Sequence, residues 1–379
     1  MKAAAKSIDI TPALGIPMGG NVRDDDKARG VHDNLYCNAV LLEEDGKKIC
    51  FLGFDLLGLN IETCKAIKDN IQVQTGIDSK SIVINSTHTH SGPDVLGIFR
   101  ESTNENCIQY IQEMIKKVTY EVASLPTELK EAHLSIAKNH IYDLSFNRRL
   151  IMKDSTMKMN WEDINIEDVI KEAGPIDPEL YALVIEDNKN ATIAIMINFT
   201  LHPAVLVGKD WLWSRDYINY LTTNLKDKLG ENTVVFFANG AEGNVNHINY
   251  KDKNQGRGFE EAERIGSMLS NYVIDALKSK KPLNPSPFKS LSKMIKLPLR
   301  KITKEVISWA EKLLEKQGDF IPSLLDGVPD EIYAREALRL SKIEDKYIET
   351  EIHVVQIGNT VITTFPGEVF DVDEIDTLS

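Results

Sequence analysis

Hydrophobic and polar residues alternate along this chain with two different periods, one typical of strands and one typical of helices. Apolar runs of strand length occupy residues 38–43 and 48–55, joined by the turn Glu44-Asp45-Gly46, and residues 191–199 predict a further buried strand. Residues 105–124 instead place apolar side chains at helical intervals, which predicts a helix that ends before Pro126.

The same two patterns alternate through the rest of the chain. Helices are predicted at 218–229, closed by Gly230, and at 259–277, 304–316 and 330–344, with a strand at 233–238 and a final hairpin of 353–357 and 361–365. Hairpins interleaved with helices imply an α/β fold with mixed β-sheets and flanking helices. No linker or repeat divides the sequence, so we expect a single domain over residues 1–379.

Composition narrows the classes of function. The chain has 379 residues, 42% of them hydrophobic, and a formal net charge of −13. That acidity argues against a nucleic-acid partner and against anionic membranes, and it leaves a small-molecule substrate as the expected partner. The N-terminus lacks the apolar stretch of a signal peptide and no segment approaches a membrane span, so we expect a cytoplasmic protein without stable membrane association. The four cysteines show no CxxC spacing and are expected to be buried free thiols that form neither disulfides nor a metal site (Cys37, Cys50, Cys64 and Cys107).

Residues 85–94, Asn-Ser-Thr-His-Thr-His-Ser-Gly-Pro-Asp, form the most informative segment of the chain. His88 and His90 stand two apart, directly after an apolar run at 82–84. A strand sends such residues to the same face, so we expect the two imidazoles to converge. Two imidazoles beside a Gly-Pro turn are typical of a zinc or hydrolytic centre, and two surface histidines at a polar strand end are the alternative.

Three further polar clusters also follow apolar strands. His202 lies in the first, residues 199–203; His247 lies in the second, residues 243–247; Glu368 ends the third, Pro366-Gly367-Glu368. Such loops often gather ligand sites, and two or three imidazoles with one carboxylate match a catalytic zinc that keeps a position open for water. The other histidines are assigned to structure or solvent (His32, His133, His140 and His353).

Short motifs follow one another in a fixed order across nearly the whole chain. They are Ile8-Asp9-Ile10-Thr11-Pro12, Gly30-Val31-His32-Asp33, Thr87-His88-Thr89-His90-Ser91-Gly92-Pro93, Phe146-Asn147-Arg148, Asn198-Phe199-Thr200-Leu201-His202-Pro203, the Gly-Asn loop at 243–247, and Pro366-Gly367-Glu368. In this order they resemble the catalytic domain of the neutral/alkaline (non-lysosomal) ceramidase family.

The resemblance implies a zinc ion held by His88, His202 and Glu368. It also implies that His90 is a catalytic partner near the metal, and that Arg148 contacts the substrate or the developing oxyanion. These residue types suit those roles, because an imidazole can shuttle protons and a guanidinium can stabilise negative charge on a carbonyl oxygen. For Arg148 the alternative is a surface salt bridge.

Two positions depart from the ceramidase pattern. Ceramidases that cleave the sphingolipid amide carry a serine and then a proline where this chain has Asn246 and His247. Asparagine cannot serve as the nucleophile, so we expect zinc-bound hydroxide to attack directly, with Asn246 or His247 orienting the substrate. His247 as a metal ligand, as a base, or as a structural residue in its loop are the open alternatives.

The end of the sequence departs as well. The family supplies a further zinc-ligating tyrosine from beyond the Pro-Gly-Glu motif, and no tyrosine follows Glu368 here. We therefore expect a shortened C-terminal end that lacks the family's immunoglobulin-like domain. With no signal peptide or lipid-facing surface in view, the chain most resembles short cytoplasmic bacterial-type members of the family.

Three functions are compatible with these residues. The leading hypothesis is a zinc-dependent hydrolase that cleaves an amide, or an ester or lactone, of a small soluble molecule through metal-activated water. The second is a true neutral ceramidase acting on N-acylsphingosine. The third is a non-catalytic homologue that binds a metal or ligand. Rival chemistries lack support, since the sequence has no GxSxG elbow, Walker loop, Rossmann glycine fingerprint or HExxH motif.

Overall fold

A computed structural model describes residues 1–21, 27–97, 105–206, 210–315 and 330–371. Residue 316, the last of one predicted helix, and the acidic residues 372–379 lie outside the described residues. Within the described parts of the chain, no helix combines the length and the apolar character needed to cross a membrane.

Strands and helices alternate along the chain. The strands are β1 (Lys2–Asp9), β2 (Gly30–Val31), β3 (Tyr36–Glu44), β4 (Lys47–Phe54), β5 (Ile82–Ser86), β6 (Lys130–His140), β7 (Phe146–Asn147), β8 (Arg149–Met152), β9 (Met157–Met159), β10 (Val169–Glu172), β11 (Glu179–Asp187), β12 (Thr192–Phe199), β13 (Leu212–Trp213), β14 (Val234–Asn239), β15 (Val245–Asn246), β16 (Lys281–Leu283), β17 (Phe288–Pro298), β18 (Tyr347–Ile357) and β19 (Thr360–Thr363). The α-helices are α1 (Ile61–Thr75), α2 (Glu105–Val122), α3 (Leu125–Glu128), α4 (Tyr217–Leu229), α5 (Gly258–Leu277), α6 (Lys304–Leu314) and α7 (Asp330–Ser341).

Most predicted elements are confirmed, and the expected α/β fold with mixed sheets is confirmed with them. The hairpin of β3 and β4 turns at Asp45 and Gly46, and α2, α4 and α5 begin and end within two residues of their predicted bounds. One detail was wrong: His353 does not open a strand. It lies deep within β18, which begins at Tyr347 and pairs with all eleven residues of β17.

The main sheet is mixed and curls until its two edges meet. Its strand order is β14-β12-β11-β6-β1-β3-β4-β5, with β16 added beside β6. Pairing is parallel between β4 and β5 and between β12 and β14, and antiparallel elsewhere in the sheet. The edge strands β5 and β14 approach each other closely enough for the Asn85 side chain to donate to the Phe237 carbonyl at 3.3 Å.

Period-two alternation explains how the curled sheet is filled. Val40 and Leu42 point into the space between the two halves of the sheet, where Phe51 and Phe236 meet edge to face at 6.3 Å. Leu41, on the opposite face of β3, packs instead against the outer layer formed by α1 and α2. The outer face of β11, β12 and β14 packs in the same way against α4 and α5. The result is a four-layer arrangement in which helices cover both outer faces of the folded sheet.

Candidate metal centre

The loops that follow β5, β12 and β14 come together where the edges of the sheet meet. The Asn239 side chain donates to the Thr87 carbonyl at 3.2 Å, which ties the end of β14 to the segment that carries His88. Because β12 and β14 are parallel neighbours, the loop that carries His202 leaves the sheet at the same end. The strand-end clusters predicted from the sequence therefore lie together.

His88 and His90 converge for a different reason from the one expected. Strand β5 ends at Ser86, so alternation along a strand does not aim the two rings. His88 instead adopts a left-handed backbone conformation with φ of 67°, in a turn held by its N–H donating to the Leu56 carbonyl at 3.0 Å. A non-glycine residue at positive φ costs energy and is often found at functional sites.

Three imidazoles form a compact cluster. The ring centroids lie 5.1 Å apart for His88 and His90, 4.7 Å for His88 and His202, and 4.8 Å for His90 and His202. One nitrogen from each ring lies within 4.8 Å of the other two, and the Nε2 atoms of His90 and His202 are 2.8 Å apart. The structure thus brings His90 as close to the centre as the two histidines predicted to be ligands.

The outer nitrogen of each ring has a partner that fixes its orientation. His88 Nδ1 lies 2.7 Å from the Leu57 carbonyl, and His202 Nδ1 lies 3.3 Å from the Glu242 carbonyl. When Nδ1 of His88 and of His202 donates to these carbonyls, Nε2 of the same ring carries no proton. Its lone pair is then available to bind a metal. The ring of His90 packs on Gly20, where an added Cβ would lie 2.6 Å from the His90 Cα.

Glu368 reaches the cluster from the far end of the described chain. Its Oε1 lies 3.3 Å from His88 Nε2, and its side chain is 44% exposed, so this side of the cluster is open to solvent. The segment that carries Glu368 docks on the loop after β14, where the N–H of Gly243 donates to the Val369 carbonyl at 2.9 Å. All three predicted zinc ligands are therefore neighbours.

Arg148 lies beside Glu368. Its Nη2 donates to the Gly243 carbonyl at 2.6 Å and lies 3.7 Å from Glu368 Oε2. The guanidinium also faces the ring of Trp161, with Cζ 5.8 Å from the ring centroid. The Arg148 side chain is 20% exposed, and its ion-pair partner Glu368 lies beside the cluster. The predicted contact with the substrate stays a prediction beside the salt bridge that the structure shows.

The pKa values of the two predicted histidine ligands shift in opposite directions. Burial and the nearby charge of His88 lower the pKa of His202 to about 3, so His202 is neutral. Burial also lowers the pKa of His88, but the carboxylates of Glu368 and Glu242 outweigh it and the net shift is upward. Burial disfavours the charged form of Glu368, yet its contact with His88 and the surrounding positive charge lower its pKa overall.

The donor set fits a divalent transition metal. His88 Nε2 is buried without a hydrogen-bond partner, although Glu368 lies at an ion-pair distance, and a bound cation would satisfy it. Two neutral imidazoles and a carboxylate are the ligand types that zinc prefers in catalytic sites. His88, His90 and His202 each place one nitrogen at the cluster, and Glu368 lies beside His88. The assignment of His88, His202 and Glu368 as the residues that would hold the ion stays a prediction.

Asn246 and His247, predicted to orient the substrate, have other contacts. The amides of Asn246 and Asn160 donate to each other at 2.8 Å in both directions, and Asn246 Oδ1 also accepts from the Ile248 N–H at 3.0 Å. His247 is buried, and the charged groups that act on it are Glu261, Arg264 and Arg257 rather than the residues of the cluster. Catalytic roles for Asn246 and His247 stay predictions.

One acidic residue of the site escaped the sequence analysis. Glu242 lies in the loop after β14, is 7% exposed, and contributes the carbonyl that orients His202. Burial raises the pKa of its carboxyl to about 7, with further effects from His88, Glu368 and Arg148. The signal was present, since Glu242 follows an apolar strand in a glycine-bearing loop, as the chosen residues do.

Comparison with known proteins decides the family. The model of the neutral/alkaline non-lysosomal ceramidase N-terminal region matches residues 4–251. The chain belongs to this family. Its fold is similar to that of neutral ceramidase from Pseudomonas aeruginosa, with a TM-score of 0.69 at 16% identity, over 96% of this chain and 61% of that chain. It is also similar to a ceramidase complexed with C2, with a TM-score of 0.71 at 16% identity, over 96% of this chain and 62% of that chain. The chain thus spans less than two thirds of the length of either ceramidase.

Proposed function

We propose that this chain is a zinc-dependent hydrolase that cleaves an amide bond, or an ester or lactone, of a small soluble molecule. The observation that carries the proposal is the convergence of His88, His90 and His202, with mutual nitrogen distances within 4.8 Å, beside Glu368. Membership of the ceramidase family favours an amide as the scissile bond. Zinc bound at this cluster would supply Lewis acidity and a water of lowered pKa.

Residues around the cluster can transfer a proton, stabilise negative charge and contact the substrate. His90 is only partly buried and its Nε2 points at the centre, so it can accept a proton and return it to the leaving group. Arg148 is positioned at the open side by the Gly243 carbonyl, where it can stabilise negative charge on the carbonyl oxygen of a substrate. Trp161, 38% exposed and facing the same guanidinium, offers an apolar surface for the substrate's acyl part.

Metal content and turnover together test the proposal. We expect one zinc per chain in protein purified without added metal, and hydrolysis of members of a panel of N-acyl amides that stops on chelation and returns with Zn²⁺. His88→Ala and His202→Ala should abolish both, and His90→Ala should lower turnover by about 10²- to 10⁴-fold while keeping the metal. His140→Ala is the matched control, because this exposed histidine lies on β6 and pairs with Glu179. Unchanged activity in His88→Ala, with no zinc bound, would contradict the proposal.

A true ceramidase is the second candidate, favoured by the family match over residues 4–251. The position of the ceramidase serine is held here by Asn246, whose side chain is engaged with Asn160. A fluorescent N-acylsphingosine assayed beside short water-soluble N-acyl amides separates the two activities. Turnover of the sphingolipid alone would establish the ceramidase, and zinc binding without turnover of any substrate would leave a non-catalytic homologue.

A further inference from the structure

A buried lysine, a glutamate and a histidine meet where α1 packs against β18. Lys68 Nζ donates to Glu351 Oε2 at 2.6 Å and to His353 Nε2 at 2.9 Å. Lys68 is 7% exposed and His353 is 4% exposed. Lysine is rarely buried unless it is paired, so these contacts account for its place inside the protein. The Lys68 cluster, formed by Lys68, Glu351 and His353, therefore fixes β18 against α1.

The Lys68 cluster is linked through the backbone to the segment that carries Glu368. The N–H of His353 donates to Thr364 Oγ1 at 2.9 Å, and the N–H of Thr364 donates to the His353 carbonyl at 3.0 Å. Thr364 lies directly after β19 and precedes Glu368 by four residues. The strand that the Lys68 cluster holds in place is thus bonded to a point close to Glu368 in the chain.

Two anchors hold the segment that carries Glu368. The first is the backbone contact with β18. The second lies beyond Glu368, where the Gly243 N–H donates to the Val369 carbonyl at 2.9 Å. Asn244 and Asp371 reinforce the second anchor with two hydrogen bonds of 2.9 and 2.7 Å. Between the anchors the Glu368 side chain is 44% exposed, so its position depends on where the two ends of the segment are held.

The charges around His353 make the first anchor sensitive to pH. The ring faces the Lys68 ammonium from α1, the Glu351 carboxylate from β18, and the backbone of Lys80 from the turn before β5. Burial and Lys68 lower the pKa of His353 from 6.5, and they outweigh Glu351 and the Lys80 backbone, which favour the charged form. Protonation would place two positive charges 2.9 Å apart, so the Lys68 cluster weakens as the pH falls below 6.5.

We propose that the Lys68 cluster positions Glu368, because it fixes β18 and thereby the Thr364 end of the segment that places the Glu368 carboxylate beside His88. Its three members are positioning residues that act through the backbone. The proposal rests on the proposed function only in taking Glu368 as part of the site.

Hydrogen exchange of the metal-free full chain, resolved to single amides, tests the proposal. Lys68→Met should speed exchange of the Thr364 N–H and of the Gly243 N–H by about 10-fold or more, since losing a hydrogen bond to a charged group weakens a local contact by about that factor. Lys280→Met is the matched control, because it removes the ammonium that lies 2.6 Å from the buried Glu186 of β11, and both amides should keep wild-type rates. Titration with Zn²⁺ against a chromophoric chelator should show binding weakened by about 10-fold in Lys68→Met alone.

The pH profile separates this role from ordinary packing. His353→Gln keeps an acceptor for Lys68 but cannot be protonated. Between about pH 7.5 and about pH 5.5, protection of the Gly243 N–H should fall more in wild type than in His353→Gln. His140→Gln, which removes an exposed histidine of β6, should follow wild type. Glu351→Gln is a milder variant than Lys68→Met, since the Glu351 side chain is 25% exposed, and it should speed exchange of the same amides.

Three outcomes would overturn the proposal. The first is faster exchange of Thr364 in Lys68→Met with no change at Gly243, because the effect would then stop short of the site. The second is equal acceleration in Lys280→Met, which would indicate general loss of stability. The third is the same pH dependence in His353→Gln as in wild type. Faster exchange at both amides in a chain that hydrolyses no substrate would defeat the proposed function and leave this inference standing.

Discussion

Gly243 contacts the backbone that carries Glu368 beside the imidazole cluster, and replacing Gly243 with alanine should displace Glu368. A Cβ at this position would lie 2.7 Å from the Glu368 carbonyl oxygen and 2.8 Å from that of Val369, where ordinary contact begins at 3.4 Å. Both atoms belong to the backbone, so rotating a side chain cannot relieve the overlap. To reach ordinary contact distance from the added Cβ, the Glu368 carbonyl oxygen would have to move away by about 0.7 Å and the Val369 carbonyl oxygen by about 0.6 Å.

That displacement sets the expected size of the effect. Overpacking of this kind costs about 1–3 kcal/mol of folding stability. This displacement would also strain the hydrogen bond from the Gly243 N–H to the Val369 carbonyl, which is 2.9 Å long in the wild-type chain. It would move the Glu368 carboxylate away from His88. Misplacement of a reacting group by about 1 Å can cost about 10²-fold in rate, so we expect Gly243→Ala to lower kcat/KM by about 10-fold or more.

The assay combines zinc titration, turnover and urea unfolding. Gly92→Ala is the matched control, because Gly92 lies in the same His-Thr-His-Ser-Gly-Pro motif and its added Cβ would meet no atom closer than 3.5 Å. Gly243→Ala should weaken Zn²⁺ binding and unfold at lower urea, and Gly92→Ala should do neither. Wild-type zinc affinity and stability in Gly243→Ala would refute the role given to this contact.

Three further predictions concern stability. Lys68→Met removes the ammonium that lies 2.6 Å from Glu351 Oε2 and 2.9 Å from His353 Nε2. It should lower the free energy of unfolding in urea by about 1.5–3 kcal/mol. An unchanged urea midpoint would show that this contact between α1 and β18 contributes nothing to stability. His247 has a pKa lowered by burial from 6.5 to about 4, so the unfolded chain binds a proton more readily and stability falls as the pH falls from 6.5 towards 4. Between about pH 7.5 and about pH 5, wild type should therefore lose on the order of 2 kcal/mol more than His247→Gln, and parallel losses would contradict the buried, neutral state of His247. Asn246→Ser introduces the hydroxyl of the ceramidase pattern but removes both 2.8 Å hydrogen bonds to Asn160. It should lower the free energy of unfolding by about 1–3 kcal/mol without raising turnover. Faster hydrolysis at wild-type stability would contradict this prediction.

Much of the fold was predictable because local patterns and tertiary packing agree. Residues 105–124 carry a strong helical period and their apolar stripe packs on the sheet as α2. Helix α1 and strand β17 were not predicted. The buried residues of α1 include Lys68, which no hydrophobic pattern would place inside. Strand β17 mixes serines and lysines with apolar residues, and Leu291 and Met294 among them are exposed.

The sequence predicted which residues lie at the candidate site better than it predicted how their side chains converge. Apolar strands followed by polar loops pointed to His88, His202 and Glu368, and the structure places these residues near one another because strand ends at one edge of the sheet meet in space. Their role as metal ligands stays a prediction. The convergence of His88 and His90 depends on a left-handed turn at His88, which sequence period alone does not reveal.

Glu242 shows what sequence patterns could not supply. Its burial beside His202 is known only once the sheet has closed and the Glu368 segment has docked on the same loop. Asn246 is the converse case. Its place in the motif suggested chemistry, whereas the structure shows a reciprocal amide contact with Asn160, more than 80 residues away in the chain.

X-ray anomalous scattering at the zinc edge, on crystals grown with Zn²⁺, tests most directly whether distant segments of this chain chelate one divalent cation. We predict a single strong peak per chain at about 2.0–2.2 Å from Nε2 of His88, Nε2 of His202 and a carboxylate oxygen of Glu368. A peak bound elsewhere, or no peak at this cluster in crystals saturated with zinc, would contradict the account.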